Sequence, residues 1–558
     1  MHEPASSPIG TVRIADYIVE RLQLRGVDHV FGVPGDFVLK FFEHLAGSDL
    51  QVVNTCDEQG AGFAADAYAR LRGLGVVCVT YGVGGLKIAN TTAQAYAEES
   101  PVVVISGAPG LEEQRSGALL HHVIKGYDNQ RRIFEHLTVA TAVLDDPDQA
   151  CREIDRVIDA AMLHKRPVYI EIPRDMTLME VCRPVAQPAA PPRSDGPTLA
   201  AAVDDAVALL RAARRPVAFL GLQTVRFGLL PTALRLIERS SIPTAVTPLD
   251  KSAISEQHRC FIGVYAGAMS RRDVQAYVES ADCLLLLGPL LTDVNLGGNT
   301  AHIRPERCIH ATRHQVRIGY RTYDRVRLED FVHALAEADL PGFGGVSTPV
   351  TPDAGALWRP EPKTAVTVAR LFERLGAFLA DDTVVIADPG DAMFGALDLP
   401  VRQDHDFLAN AFYASLGFAV PASIGAQLAD PARRPLVLVG DGAFQMTGME
   451  LSTSLRYGLN PVVVVLNNAG YLTERLMMDG AFNDVLPWNY AALTGVFGGG
   501  RSFVIDTEEE LDAALLEAAD SEDLCLLDVR LDPRDASPAL LRLAEQFGMA
   551  AGAALAER

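Results

Sequence analysis

No apolar run in the chain reaches the roughly 18 to 20 residues needed to span a bilayer. The longest, such as Cys283 to Leu291, has the length of a buried strand. Met1 to Gly10 lacks a basic stretch followed by an apolar core, so no signal peptide is expected. Cysteine is sparse: positions 56, 78, 151, 182, 260, 283, 308 and 525, with no CxxC pair. That spacing offers neither a disulfide framework nor a zinc site, and suits reduced thiols in a cytoplasmic protein. Positive charge is in deficit too. Lys plus Arg is 49 against 71 Asp plus Glu, a net charge of −22. The excess argues against nucleic acid or membrane as partner. A small anionic substrate stays open, because it senses the local pocket and not the total.

What is present is ordinary for a globular protein: 49% apolar and 22% charged residues. A chain of 558 residues is too long for one core, and about three domains are expected. Two stretches rich in Pro, Ala and Gly, Arg183 to Thr198 and Leu340 to Pro362, read as linkers. They predict domains over 1–185, 196–342 and 363–548. Each third alternates short continuous apolar strands with longer helical segments. His29 to Gly32, Val217 to Leu220 and Leu436 to Val439 are examples. Such strands imply parallel sheets covered on both faces, hence three doubly wound α/β domains. Ligands gather beyond the carboxyl ends of strands in these sheets, so the residues there carry the functional reading.

Leu436 to Val439 runs into Gly440-Asp441-Gly442, and a helix-like segment, Thr447 to Tyr457, follows. Val462 to Leu466 is the next strand and ends in Asn467-Asn468-Ala469-Gly470. One βαβ unit therefore brings Asp441 and Asn468 to the same edge of neighbouring strands. A carboxylate, an amide oxygen and a backbone carbonyl suit Mg²⁺, a hard ion that takes oxygen ligands. The glycines let backbone approach a phosphate, and the helix start after Gly442 offers free N–H groups. Alone, Gly-Asp-Gly could be a plain strand-to-helix turn; the Asn-Asn after the next strand weighs against that.

Residues 54 to 70, NTCDEQGAGFAADAYAR, start at a strand end and become a helix with a small-residue face. Glu58 sits at the junction, a partly desolvated place for a carboxyl. Taken alone it is more often a helix-start charge. Asp36 after a Pro-Gly turn, the pair His121-His122, and Glu474 also have bland readings as turn, loop and helix-start residues.

Taken together these segments resemble the pyruvate, indolepyruvate and phenylpyruvate decarboxylase branch of the thiamine diphosphate enzymes. The resemblance rests on HVFGVPGD, the Glu58 segment, Val79 to Gly110, LLHH (Leu119 to His122), GDGAFQMTG and NNAGYLTE, and covers nearly the full length. It implies a pyrimidine-binding, a central and a diphosphate-binding domain. It also implies thiamine diphosphate and Mg²⁺ as cofactors, the metal being held by Asp441, Asn468 and the Gly470 carbonyl. The implied cofactor contacts are Thr80, Gly390, Asp391, Ala414, Leu416, Gly440, Asp441, Gly442, Ala443, Asn468, Gly470 and Tyr471. Glu58 is the implied acid that switches the cofactor on through its aminopyrimidine ring.

Fewer members of the wider family carry Asp36, His121, His122 and Glu474, the set implied to move protons around decarboxylation and aldehyde release. Histidine titrates in the right range for that work. The family's cofactor lies between the first domain of one subunit and the third of another, so a homodimer or dimer of dimers is implied. Pyruvate-specific relatives usually show Thr at the place of Pro389, Trp at that of Met393 and a bulkier aliphatic residue at that of Thr473. With the adaptable Met477, these departures favour a larger aromatic or branched 2-keto acid. The main alternative is a carboligase forming 2-hydroxy ketones. The central domain shows no GxGxxG and reads as structural, and the helical tail Asp535 to Phe547 as a lid or as packing on the third domain.

Overall fold

The computed structural model describes residues 10–184, 192–344, 348–349, 358–400 and 407–547. It resolves into two compact units. One gathers the described residues of 1–190 with 421–431 and 449–453, and the other those of 191–420, 432–448 and 454–558. Parts of both expected linkers lie outside the described residues. The end of the first is not linker at all. Helix Gly196–Ala212 begins there, with Asp195 as its N-cap accepting from the Thr198 amide.

The first unit is built on a six-stranded parallel sheet. Its order is Gln51–Asn54, His29–Gly32, Gly75–Val79, Val102–Ala108, Val168–Pro173, Thr141–Val143. The central strands are Val- and Ile-rich and buried along their length, as a sheet covered on both faces requires. The second unit holds two sheets. One is six-stranded and parallel: Phe407–Ala409, Thr383–Ala387, Arg434–Gly440, Val462–Asn467, Cys525–Arg530, Arg501–Ile505. The other has seven strands, five of them parallel, plus an antiparallel hairpin, Gln315–Ile318 and Arg321–Asp324, on one edge. That hairpin is short and polar outward, so it gave no buried-strand signal.

The two six-stranded sheets share one topology. Numbered within each sheet, the order is 2-1-3-4-6-5 in both. A doubly wound sheet opens a crevice beyond the carboxyl ends of the strands where the winding reverses, here strands 1 and 3. In the first sheet those ends lead into Val33–Asp36 and Thr80. In the other they lead into Asp388–Asp391 and Asp441.

The helix after the second strand of the first sheet, Glu58–Arg72, is buried from Gly60 through Arg70. Its small face permits that depth, and a buried triad pins it. Arg70 donates through Nε and Nη2 to Asp66, both at 2.9 Å, and through Nη2 to Glu98 at 2.9 Å. All three side chains are almost wholly out of water. Removing the cation leaves two buried carboxyls without it, at a cost of about 3–5 kcal/mol. Arg70→Met should therefore strip hydrogen-exchange protection from Glu58–Arg72; unaltered protection there would contradict the assignment.

Candidate active site

In the first unit the turn after His29–Gly32 delivers Asp36 to a cluster. The ligand atoms of Asp36, His121 and His122 lie within 4.8 Å of one another. His121 Nε2 is 2.9 Å from Asp36 Oδ2, so an Nε2–H tautomer donates to the carboxylate. Phe37, buried one residue on, stacks on the His121 ring at 4.9 Å and meets His122 edge-on at 5.9 Å. His122 has φ +67, a left-handed backbone that costs energy and persists where surrounding structure holds it. Its Nδ1 is buried without a partner.

Glu58 starts its helix at the end of the second strand. Asp57 is the N-cap, accepting from the Gln59 amide at 2.8 Å. The turn before it is fixed by buried Glu450, which accepts from the Cys56 and Asp57 amides at 3.1 and 3.0 Å. Glu58 is only 9% exposed. Gly84 lies beside it: a Cβ there would be 3.3 Å from both Glu58 Oε1 and Thr80 Cγ2. Thr80 in turn is packed so tightly behind Gly35 that a Cβ at 35 would collide with it. Glu58, Asp36 and Thr80 thus follow one another along the carboxyl edge of one sheet. Lys87, which sequence reasoning left unassigned, donates to Glu58 Oε2 at 3.0 Å.

In the second unit one cavity of ≈ 330 Å³ is lined by Pro389, Gly390, Asp391, Met393, Ala414, Leu416, Gly440, Asp441, Gly442, Ala443, Asn468, Gly470, Tyr471, Thr473 and Glu474. Met477 is not among its walls and is 62% exposed. Asp441 is 1% exposed. One oxygen accepts from the Gly442 amide at 2.7 Å, while Oδ2 is buried with no partner. Desolvation pushes the carboxyl up to about 6, although the amides of Gly442, Ala469 and Gly470 pull it down. Asn468 is buried beside the same cavity, its Oδ1 accepting from the Gly470 amide at 3.3 Å. Its neighbour Asn467 is turned to another task, donating to Asp528 at 2.7 Å.

Two expectations need correction. The helix begins at Asp441, directly on the strand, and runs only to Thr447. A 3₁₀ turn, Gly448–Glu450, separates it from Leu451–Arg456. Gly442 is required by a side chain: a Cβ there would strike the Tyr471 ring, whereas Gly440 faces open space.

Two further carboxyls flank the cavity. Asp391 Oδ2 accepts from the Ser537 amide at 2.9 Å while Oδ1 stays buried and unpartnered, and burial raises the carboxyl to about 6. Asp388, fully buried and raised to about 7 by desolvation, accepts from the Gly417 and Ala419 amides at 2.9 and 2.8 Å. It ties the loop carrying Ala414 and Leu416 to the strand end, a role not readable from sequence. The tail helix Pro538–Gln546 packs Leu540 and Leu543 against Leu472, Leu476 and Phe394. It is therefore fixed packing on the walls of this cavity. A larger cavity of ≈ 870 Å³, lined by Arg271, Trp358, Arg370 and Phe372 among others, contains none of these groups. The smaller one is the stronger candidate, because desolvated acids with free oxygens converge there.

The chain matches three family models: thiamine pyrophosphate enzyme, N-terminal TPP binding domain, over 12–132; central domain, over 203–338; and C-terminal TPP binding domain, over 388–529. It is 38% identical over 513 residues to an indole-3-pyruvate decarboxylase of Azospirillum brasilense, covering 91% of this chain and 93% of that protein. It is 34% identical over 542 residues to an alpha-keto-acid decarboxylase of Mycobacterium leprae (strain TN), 95% and 94% covered. To that of Mycobacterium bovis (strain BCG / Pasteur 1173P2) it is 35% identical over 555 residues, 97% of each.

A buried polar chain underpins the histidine loop. Glu171 Oε2 accepts from the Tyr169 hydroxyl at 2.5 Å, and Gln130 Nε2 donates to that hydroxyl at 2.7 Å. Gln130 Oε1 accepts from the Gly82 amide at 2.6 Å. Burial raises Glu171 from 4.5 to about 7. The unfolded carboxyl ionises first, so folding loses stability as pH rises from about 4.5 to about 7. Glu171→Gln should match the parent at pH 4 and exceed it at pH 8 by about 1–3 kcal/mol. Denaturant unfolding at both pH values checks this; curves offset equally at the two would refute it.

Proposed function

Since the chain belongs to the thiamine diphosphate-dependent 2-keto acid decarboxylases, we propose that it acts on a bulky aromatic or branched 2-keto acid, as a Mg²⁺-requiring cytoplasmic homo-oligomer. One observation carries the metal reading. Asp441 presents a buried, unpartnered oxygen beside Asn468 and Gly470, and a desolvated carboxyl in that state wants a cation. In this reading Asp441, Asn468 and the Gly470 carbonyl hold Mg²⁺ against the diphosphate. Gly390, Asp391, Ala414, Leu416, Gly440, Gly442, Ala443 and Tyr471, with Thr80 on the first domain, surround the rest of the cofactor.

When bound, thiamine diphosphate supplies the electron sink that allows a 2-keto acid to lose CO₂. The chain supplies proton transfer and shape. Glu58 would share a proton with the cofactor's aminopyrimidine ring. Asp36 and His122 would exchange protons with the product as aldehyde forms and leaves, His121 would orient its neighbour, and Glu474 would assist at the departing carboxylate. Thr473, Pro389 and Met393 bound the substrate side chain. The relatives bear decarboxylase names, which does not favour the carboligase alternative.

The oligomer is supported by apolar side chains exposed beside each set of groups: Leu119 at 96% and Ile124 at 60% in one unit, Met478 at 70%, Phe482 at 70% and Leu486 at 75% in the other. The cytoplasmic assignment is supported by eight free cysteines, six of them buried. No helix among the described residues is long and apolar enough to cross a membrane. Domain limits of 1–185, 196–342 and 363–548 remain our partition.

Turnover with thiamine diphosphate and Mg²⁺ should release aldehyde and CO₂ one for one, with phenylpyruvate or indolepyruvate preferred over pyruvate and activity lost to a chelator. Hydroxy ketone as the main product would overturn the reading. Glu58→Gln should cut kcat by about 10²- to 10⁴-fold, the usual worth of a positioned proton-transfer group. Thr473→Leu should shift kcat/KM towards pyruvate by about tenfold, the worth of one to two methylenes. An unchanged ratio would remove Thr473 from the substrate wall.

A further inference from the structure

Glu58 can serve the cofactor only when its carboxyl is free to meet the aminopyrimidine, and in this structure it is not. Lys87 Nζ donates to Glu58 Oε2 at 3.0 Å and to Asp57 Oδ2 as well. Lys87 ends the short helix Val83–Lys87, the one that carries Gly84 against the other Glu58 oxygen. That turn therefore holds one oxygen of the carboxyl by charge and leaves room beside the other for no more than the hydrogen of a glycine.

The three partners differ in freedom. The Glu58 side chain is 11% exposed, those of Asp57 and Lys87 44% and 52%. Asp57 is anchored as a helix cap, its other oxygen taken by the Gln59 amide. Glu450 grips the amide of the same residue. Asp57 is therefore a fixed, wet carboxylate, and Lys87 a long, half-exposed cation able to move within its reach.

We propose that Lys87 is a displaceable latch on Glu58, which it releases to Asp57 when thiamine diphosphate binds. The proposal rests on the reading of Glu58 as the group that meets the aminopyrimidine. With the latch closed, Glu58 is charge-paired and its oxygen is occupied. With it open, the ion pair with Asp57 remains, so the ammonium never loses all its partners. Only the open fraction of the protein is competent to bind through Glu58, and apparent affinity is reduced by that fraction.

The test is calorimetric titration of the full-length, cofactor-free protein with thiamine diphosphate in the presence of Mg²⁺. Lys87→Met keeps the length of the side chain and removes the charge. It should bind thiamine diphosphate about three- to fivefold more tightly, the scale of a partly exposed ion pair. Asp57→Asn keeps the helix cap but removes the place to which Lys87 retires. It should bind more weakly than the parent, and adding Lys87→Met should reverse that loss. A thiamine diphosphate analogue without the N1′ nitrogen makes no use of the Glu58 carboxyl. Its affinity should be the same with and without Lys87. If every form binds thiamine diphosphate and Lys87→Met binds it no more tightly than the parent, the latch is overturned while Glu58 keeps its assignment. An equal gain for the analogue also overturns the latch, because the lysine would then act on the phosphates or on the fold. If no form binds thiamine diphosphate, the reading of Glu58 falls and the latch with it.

Discussion

A carboxyl that is taken out of water and left one oxygen short of a partner is the constraint on which the site depends. Asp441 is held in that state by its position, the first helical residue after a buried strand. The strand cannot move it outward without unpairing from Thr383–Ala387 on one side and Val462–Asn467 on the other. Of the amides that restrain its charge, that of Gly442 is on its own helix and those of Ala469 and Gly470 belong to the turn after the neighbouring strand. Sheet register therefore sets the distance between Asp441 and Asn468, and no loop adjustment can trade it away.

The same economy recurs around the cavity. Asp388, Asp391 and Asp441 are all raised by burial, and all lie beyond the carboxyl ends of two adjacent strands. Three such groups tax the folded state as pH rises past the ordinary carboxylate range. Asp388 offsets part of its cost by accepting two backbone amides. It thereby fixes the loop that carries Leu416. Asp391 and Asp441 each keep an oxygen uncommitted. The division is physical: the satisfied acid positions a wall, and the unsatisfied acids line the cavity with one oxygen each unpaired.

Legibility in the sequence followed the range of each interaction. Asp441 and Asn468 could be paired because a βαβ unit brings the ends of two consecutive parallel strands together whatever the helix between them does. The continuous apolar strands were readable for the same local reason. The helix start at Asp441 was missed because Gly-Asp-Gly reads as a loop until the Tyr471 ring behind Gly442 is seen. The hairpin Gln315–Asp324 lacked apolar periodicity to announce it. Asp388 and Lys87 both stood inside recognised segments. Their roles depend on partners that only the fold brings near, Gly417 and Ala419 for one and Glu58 for the other.

The acid–base groups of the first unit follow a different logic. Asp36 and His121 are exposed, whereas Glu58 is shielded, with Lys87 beside it. Exposed side chains have few packing partners of their own, so rigidity has to come from behind them. It does: Phe37 is buried beneath both imidazoles, and the Glu171–Tyr169–Gln130 chain reaches the backbone at Gly82. A left-handed His122 is stable only on such a base. Where the second unit gathers desolvated carboxyls around a cavity, the first sets exposed acid and imidazole groups on a buried polar support. The shared 2-1-3-4-6-5 topology puts both kinds of group at strand carboxyl ends. One fold plan thus yields two strand-end surfaces of different chemistry, because the residues beyond the strands differ while the strand order does not.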